Sequence, residues 1–252
     1  QNENFRKRLT AEAYALRALY QFRLLQAHSG YDAQGNLLGF PIVDKSISIN
    51  DNWKTLPRDS YDACVAHIIA DLEIAIEGLP DVYADAGASD PDKALKDAVY
   101  GSRFTNRINK RAAQMLKART LLHAASPAFN PSGDKTKWVA AADAAAAVID
   151  AYGGLTKLTS SRLEYYLSET STDILWRKDY TTSRSLEADN FPPSLYGNGR
   201  VNPTQNFVDE FPTINGVPIK MNPANFDVTQ PYKNRDPRLA KYVIYNGSSY
   251  KN

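Results

Sequence analysis

Charge of one sign, sulfur and long apolar runs are what this sequence has least of. Across 252 residues, 30 Lys and Arg stand against 28 Asp and Glu, a formal net charge of +2. A balance that even builds no field strong enough to gather nucleic acid or anionic lipid. The nearest thing to a basic cluster is Arg103, Arg107, Lys110, Arg111, Lys117 and Arg119. It is spread over a loop and a helix and reads as solvated surface. One cysteine, Cys64, excludes an internal disulfide and a cysteine-based metal cluster. Set in an apolar helical pattern, it reads as a small buried hydrophobe. No run reaches the roughly 18 apolar residues of a membrane-spanning helix. The chain begins at Gln1 without Met or signal peptide and ends on Tyr-Lys-Asn, so it reads as a piece of a longer precursor.

Motifs of chemistry are scarce too. There is no glycine-rich phosphate loop, no serine nucleophile elbow and no Cys–His pair. No cofactor is therefore expected. His28, His67 and His123 fall on three separate predicted helices. Spacing leaves a shared metal site open, but no carboxylate–His pattern accompanies them, and core or helix-end positions are the expected reading. Asp71, Glu73 and Glu77 form an acidic group, and Asp209 and Glu210 another. A glycosidase needs two carboxylates facing across a cleft. The first group reads instead as a solvated helix face. Asn246-Gly247-Ser248 fits a glycosylation sequon and reads better as a turn.

What is present is helical periodicity. At 43% hydrophobic, the chain can bury a substantial core as one large domain or two small ones. Residues 10–28 predict a first helix, with Thr10 as cap. Tyr14, Ala18, Phe22 and Leu25 make one stripe; Leu16, Tyr20 and Leu24 make a second, which predicts a helix covered on two sides. Gly39 to Val43 reads as an extended piece packing back on the helices. Residues 58–79 predict the second helix, with Val65, Ile68, Ile69, Leu72, Ile76 and Leu79 in a 3.6-residue period, stopped by Pro80. Residues 81–108 read as a long loop or a short extra helix. The third helix starts after Asn109, a plausible N-cap. It places Ala112, Met115, Leu116, Arg119 and Leu122 on one face, has Ala113 and Ala118 as points of close approach, and stops before Pro127. Residues 136–152 form the fourth, with Trp138, Ala141, Ala145, Val148 and Tyr152 in register and Gly153-Gly154 as its stop. Two helical hairpins of this kind predict a mainly α protein of stacked tetratricopeptide-like helix pairs.

After Gly154 the composition changes to Pro, Asn, Gly and Tyr. Ile174-Leu175-Trp176 reads as a short strand, 204–210 as a short helix, and Asn215-Gly216 and Asn246-Gly247 as turns. A loop-rich stretch this long is usually functional. Aromatics gather in it, and flat rings stack on the apolar faces of sugars while amides and Arg bind the hydroxyls. Such a mix is what concave ligand sites use. The alternative is that these rings cover the helical layer. Composition and chain position pick Trp176, Tyr180, Asn190, Phe191 and Tyr196 as ligand contacts, with Arg177 and Arg184 as hydroxyl partners.

Eight pieces, in order, resemble the SusD/RagB family of outer-membrane nutrient-binding lipoproteins from Bacteroidetes. They are Ala11 to Tyr20, Gly39 to Val43, Tyr61 to Pro80, Asn109 to Asn130, Trp138 to Tyr152, Asp173 to Trp176, Phe211 to Gly216 and Arg235 to Leu239. The resemblance implies one SusD-like domain fragment. Residues 1–154 would be the tetratricopeptide-like scaffold and 155–252 the loop-rich ligand side. It also implies a surface protein that captures an oligosaccharide or other nutrient, does no chemistry on it, and hands it to a SusC-like TonB-dependent transporter. Membrane attachment would be through an N-terminal lipid outside this chain. Family members are about twice as long, and the Asp173 segment departs from a Glu-Ile-Ile-Phe-like strand. Two other functions stay open at this point: a scaffold whose helical face binds a protein, and a glycoside hydrolase.

Overall fold

The computed structural model describes residues 2–48, 53–157, 174–177, 183–221 and 226–249. The chain divides into two compact units, 1–179 and 180–252. The first is built from helices α1 (Asn2–His28), α2 (Tyr61–Gly78), α3 (Lys93–Tyr100), α4 (Lys110–Ala125) and α5 (Lys135–Tyr152). A two-residue antiparallel ribbon, β1 (Gly30–Tyr31) with β2 (Leu37–Leu38), follows α1. No helix among the described residues is long and apolar enough to cross a membrane. Helix α1 packs on α2, α2 on α4, and α4 on α5. The mainly α architecture of tetratricopeptide-like pairs expected from periodicity is thus what forms.

Local chemistry sets the ends. Ser60 caps α2, its Oγ accepting from the Ala63 N–H. Asn109 caps α4 as expected: Oδ1 accepts from the Ala112 N–H at 2.9 Å. Asn109 also uses its amide NH2, which donates to the Leu175 carbonyl and holds segment 174–177 against the start of α4. Between α4 and α5, the buried Asn130 organises the turn. Its Nδ2 donates to the carbonyls of Asp134 and Ala125, and its Oδ1 accepts from the Asp134 N–H. Asp134 then caps α5, and Gly153 ends it at φ 96°.

The core of this unit runs between α1 and α2 and on to α4. Phe22, Leu25, Tyr61, Ile68, Leu72 and Leu116 are its large members. Each such side chain contributes about 1.5–3 kcal/mol on leaving water. Phe129, from the turn after α4, stacks on Tyr61 (4.7 Å between centroids) and on His123 (4.6 Å). Cys64 is buried as expected, and burial pushes its thiol up. It sits under the extended piece at residue 40, donating to and accepting from the Phe40 backbone. A Cβ on Gly39 would lie 2.5 Å from Cys64 Sγ, so only glycine fits there.

Several expectations are corrected. Helix α1 starts at Asn2, so Thr10 lies inside the helix and caps nothing. Helix α2 starts at Tyr61, after the Ser60 cap, three residues later than read. Among the described residues the second stripe of α1 is largely uncovered: Tyr20 is 68% exposed, Leu24 is also exposed and Leu16 is half-buried. The buried face of α4 runs through Ala113, Leu116, Thr120 and Ala124, leaving Met115, Arg119 and Leu122 exposed. On α5, Ala141 and Val148 are buried, while Trp138 and Ala145 are exposed. Asp71 is not solvated. It is 2% exposed and takes a bidentate pair from Arg17 of α1 at 2.6 Å. A carboxylate can be buried here because its partner comes with it. Glu73 and Glu77 do face solvent. Residues 174–176 form no strand. They are held by Asn109 and by the Trp176 indole, which donates to the Asn106 carbonyl at 2.9 Å.

Much of the basic cluster is neutralised by neighbours. Arg107 pairs with Glu12, Lys110 with Asp81 and Lys117 with Glu73.

Candidate functional site

The second unit has a small core of Val208, Leu239 and Val243, packed by Phe211, Tyr232 and Tyr245. One buried cation organises it. Arg235 donates to the carbonyls of Val208 and Phe211 at 2.7 Å and of Pro231 at 2.8 Å, tying three backbone segments together. The following residues start helix α8 (Pro237–Tyr242). Asp236 caps it, accepting from the Arg238 N–H at 2.8 Å, and Pro237 occupies the first helical position, where a missing N–H costs nothing. The Arg238 guanidinium also grips Asp236 at 2.6 Å and pulls that carboxyl down to about 2. The Arg-Asp-Pro-Arg-Leu run is therefore a device that fixes where residues 240–244 lie.

Opposite them stands the loop after α6 (Ser185–Asn190). The chain leaves α6 at Phe191, turns through Pro192–Tyr196, and folds back. The Gly199 N–H donates to the Phe191 carbonyl at 2.9 Å and the Arg200 N–H to the Asp189 carbonyl at 2.8 Å. Tyr196 takes the left-handed conformation, φ 61°, to make the reversal. At Gly197 a Cβ would lie 1.9 Å from the Phe191 carbonyl oxygen, so no side chain is possible. A short helix, α7 (Gln205–Asp209), follows, capped by Thr204. The turn glycines expected at 216 and 247 have φ of 78° and 88°.

Between these two walls lies a cleft of about 340 Å³, lined by Asn190, Phe191, Val201, Asn202, Lys241, Tyr242 and Ile244 among others. That is the small end of the range for ligand sites. The two asparagines each spend their NH2 on a local carbonyl. Asn190 donates to Leu186 at 2.8 Å and Asn202 to Gly199 at 3.1 Å. Among the described residues, no protein group donates to either side-chain oxygen. Two aromatic rings, two amides and one ammonium are the chemistry of the lining. No Asp or Glu among the described residues belongs to it.

Of the residues chosen from sequence, Asn190 and Phe191 are brought together here. Arg184 and Tyr196 lie in the same unit but do not line the cleft, and the Tyr196 ring stands fully in solvent. Trp176 and Arg177 belong to the first unit, where the Trp176 N–H is taken by Asn106. Tyr180 lies outside the described residues. Sequence reasoning missed Asn202, Lys241 and Tyr242. A signal existed for two of them, since Asp236-Pro237 marks a helix start and so fixes 241 and 242 on one short helix.

Residues 166–252 match the model of the SusD family. No curated protein matches the chain. Among solved structures, a SusD-like protein from Bacteroides fragilis superposes with a TM-score of 0.59 at 26% identity, over 94% of this chain and 43% of that one. A SusD superfamily protein from Bacteroides thetaiotaomicron matches 64% of this chain and 28% of its own length, at 23% identity and a TM-score of 0.41. Another solved structure gives 0.53 at 19% identity, over 89% of this chain and 44% of that one. The chain thus spans less than half the length of these relatives. The chain is thus similar to the SusD family over residues 166–252, and it shares a fold with a SusD-like protein over 94% of its length.

Proposed function

We propose that the chain is the core of a surface nutrient-binding protein that captures an oligosaccharide in the cleft between residues 190–203 and 240–244. The observation that carries this is the coincidence of two facts. The cleft lies inside the stretch that matches the SusD family, and its lining offers rings, amides and apolar surface without a carboxylate. Rings at Phe191 and Tyr242 supply stacking surface, and the Asn190 and Asn202 oxygens accept from hydroxyls. A lining without Asp or Glu suits binding without glycosidase chemistry, which needs two carboxylates. In this reading residues 1–154 are scaffold and 155–252 the ligand side of one domain. The captured sugar passes to a SusC-like TonB-dependent transporter, and the full-length protein is held at the outer face of the outer membrane by an N-terminal lipid. Tyr196, with its ring in solvent, and Arg184 are proposed as outer contacts for a longer glycan. Trp176, Arg177 and Tyr180 are kept as proposed contacts on chain position alone.

Calorimetry against a broad oligosaccharide panel, with reducing-end analysis of the same mixtures, tests it. Weak, enthalpy-driven binding is expected with no product formed. The double variant Phe191→Ala, Tyr242→Ala should weaken binding about tenfold or more, about 1.4 kcal/mol. Absence of any binding glycan, or turnover abolished by a single carboxylate change, overturns the reading.

A second reading has its own observation. Met115, Ala118, Leu122, Trp138, Ala141 and Ala145 of α4 and α5 line an apolar groove of about 270 Å³. An exposed apolar groove marks a contact surface. A scaffold that binds protein through this face would be recognised by co-purification with a transporter that is lost in Leu122→Asp.

A further inference from the structure

We propose that the cleft selects an acidic sugar, one bearing a uronate carboxylate or a sulfate ester. This rests on the cleft being the glycan site. Among the described residues, Lys241 is the one charged residue of its lining. Among the described residues no carboxylate pairs with it, although the other acids nearby are spoken for. Asp189 pairs with Arg200, Glu210 with Lys220 and Asp236 with Arg238. Asp209 and Asp227 accept local hydrogen bonds from Gln205 and Thr229. Glu187, on the first turn of α6, is the remaining acid of residues 180–252, and it does not line the cleft.

The imbalance extends beyond one side chain. Residues 180–252 hold eight Lys and Arg against six Asp and Glu, so the chain's formal excess of two positive charges falls in this unit. A lone ammonium beside apolar rings, with no acid in the lining, leaves a positive potential in the cleft. The lower dielectric of its walls strengthens that potential. A neutral sugar would leave it unanswered. A carboxylate or sulfate would take a charge-assisted hydrogen bond from Nζ, the stronger kind. The amide oxygens of Asn190 and Asn202 would still accept from hydroxyls of the same ring. The competing role of Lys241 is to offset the dipole at the end of α8, where it is the basic residue of the last turn. That role affects stability and not the choice of ligand, so the two separate experimentally.

The test compares matched pairs that differ in charge alone: polygalacturonate oligomers and their methyl esters, hyaluronan oligomers and their carboxyl-reduced forms, heparin oligomers and their desulfated forms. The carboxylate pairs and the sulfate pair distinguish the two sources of charge. Wild-type protein should bind the acidic member of at least one pair about five- to tenfold more tightly than the neutral one. That preference should shrink as salt rises. Lys241→Gln should abolish the preference, and Lys241→Arg should keep it. Equal binding of both members, or a preference that survives Lys241→Gln, overturns the inference and leaves the glycan reading standing. If no member of any pair binds, and no neutral glycan does either, the glycan reading falls and this inference with it.

Discussion

His123 shows what one side chain can couple. It lies on α4, stacked on Phe129 and edge-on to Phe22, and the Tyr61 hydroxyl of α2 is 2.7 Å from its Nδ1. With the ring neutral, Tyr61 donates and Nδ1 accepts. Burial holds this imidazole below its usual range and pushes the Tyr61 hydroxyl up. The folded state therefore binds this proton less readily than the unfolded chain, whose histidine titrates near about 6.5. Stability from this site is fully present above that value and is lost as pH falls through it toward the lower, folded pKa. Thermal unfolding of the wild type should thus weaken between about pH 7 and pH 5 more than that of His123→Gln. The Gln variant can still accept from Tyr61 but does not titrate. Equal slopes for the two proteins would exclude the coupling. From sequence, His123 was legible as a core or helix-end histidine, and no more, since its partners come from 62 residues earlier and from a turn. Asp71 was misread for the same reason. Its burial depends on Arg17, 54 residues away, and periodicity cannot report a partner on another helix.

At the scale of elements, stops and the Asn109 cap were legible, Thr10 was not a cap, and the faces of α2 and the first stripe of α1 were read better than those of α4 and α5. Asn109, Pro80 and Gly153 act through their own backbone neighbours, so local chemistry finds them. Which stripe of a helix is buried depends on what arrives beside it. The stripe Leu16, Tyr20, Leu24 remains largely open, and Met115, Leu122 and Trp138 line a groove and not a core. The segment 174–176 has strand-like composition but no strand partner among the described residues, and the Leu175 carbonyl is taken by Asn109 instead. The α4–α5 connection rests on Asn130, whose amide donates to the Ala125 and Asp134 carbonyls and accepts from the Asp134 N–H and the Ser132 hydroxyl. Replacing it by Ala leaves buried backbone groups unmatched. Asn130→Ala should destabilise the protein by about 1–3 kcal/mol in denaturant unfolding, with the loss of hydrogen-exchange protection greatest at the start of α5. A change below about 0.5 kcal/mol would mean the turn is set by Phe129 packing alone.

At the scale of the molecule, the helical unit and the loop-rich unit follow different rules. The first is specified by periodic burial and was largely readable. The second is specified by single residues that tie loops together, above all Arg235 on three carbonyls and Gly197 against Phe191. Such ties have no period, so composition picks Asn190 and Phe191 but not Asn202, and the helix start at Asp236-Pro237 is the local pointer to Lys241 and Tyr242. The central claim is that ligand capture belongs to the cleft of the second unit and not to the helix pairs. Hydrogen exchange with and without a saturating oligosaccharide tests it most directly. Added protection is predicted in residues 190–203 and 240–244, with α2, α4 and α5 unchanged. Protection confined to the helices of the first unit, with none at 190–203 or 240–244, would contradict it.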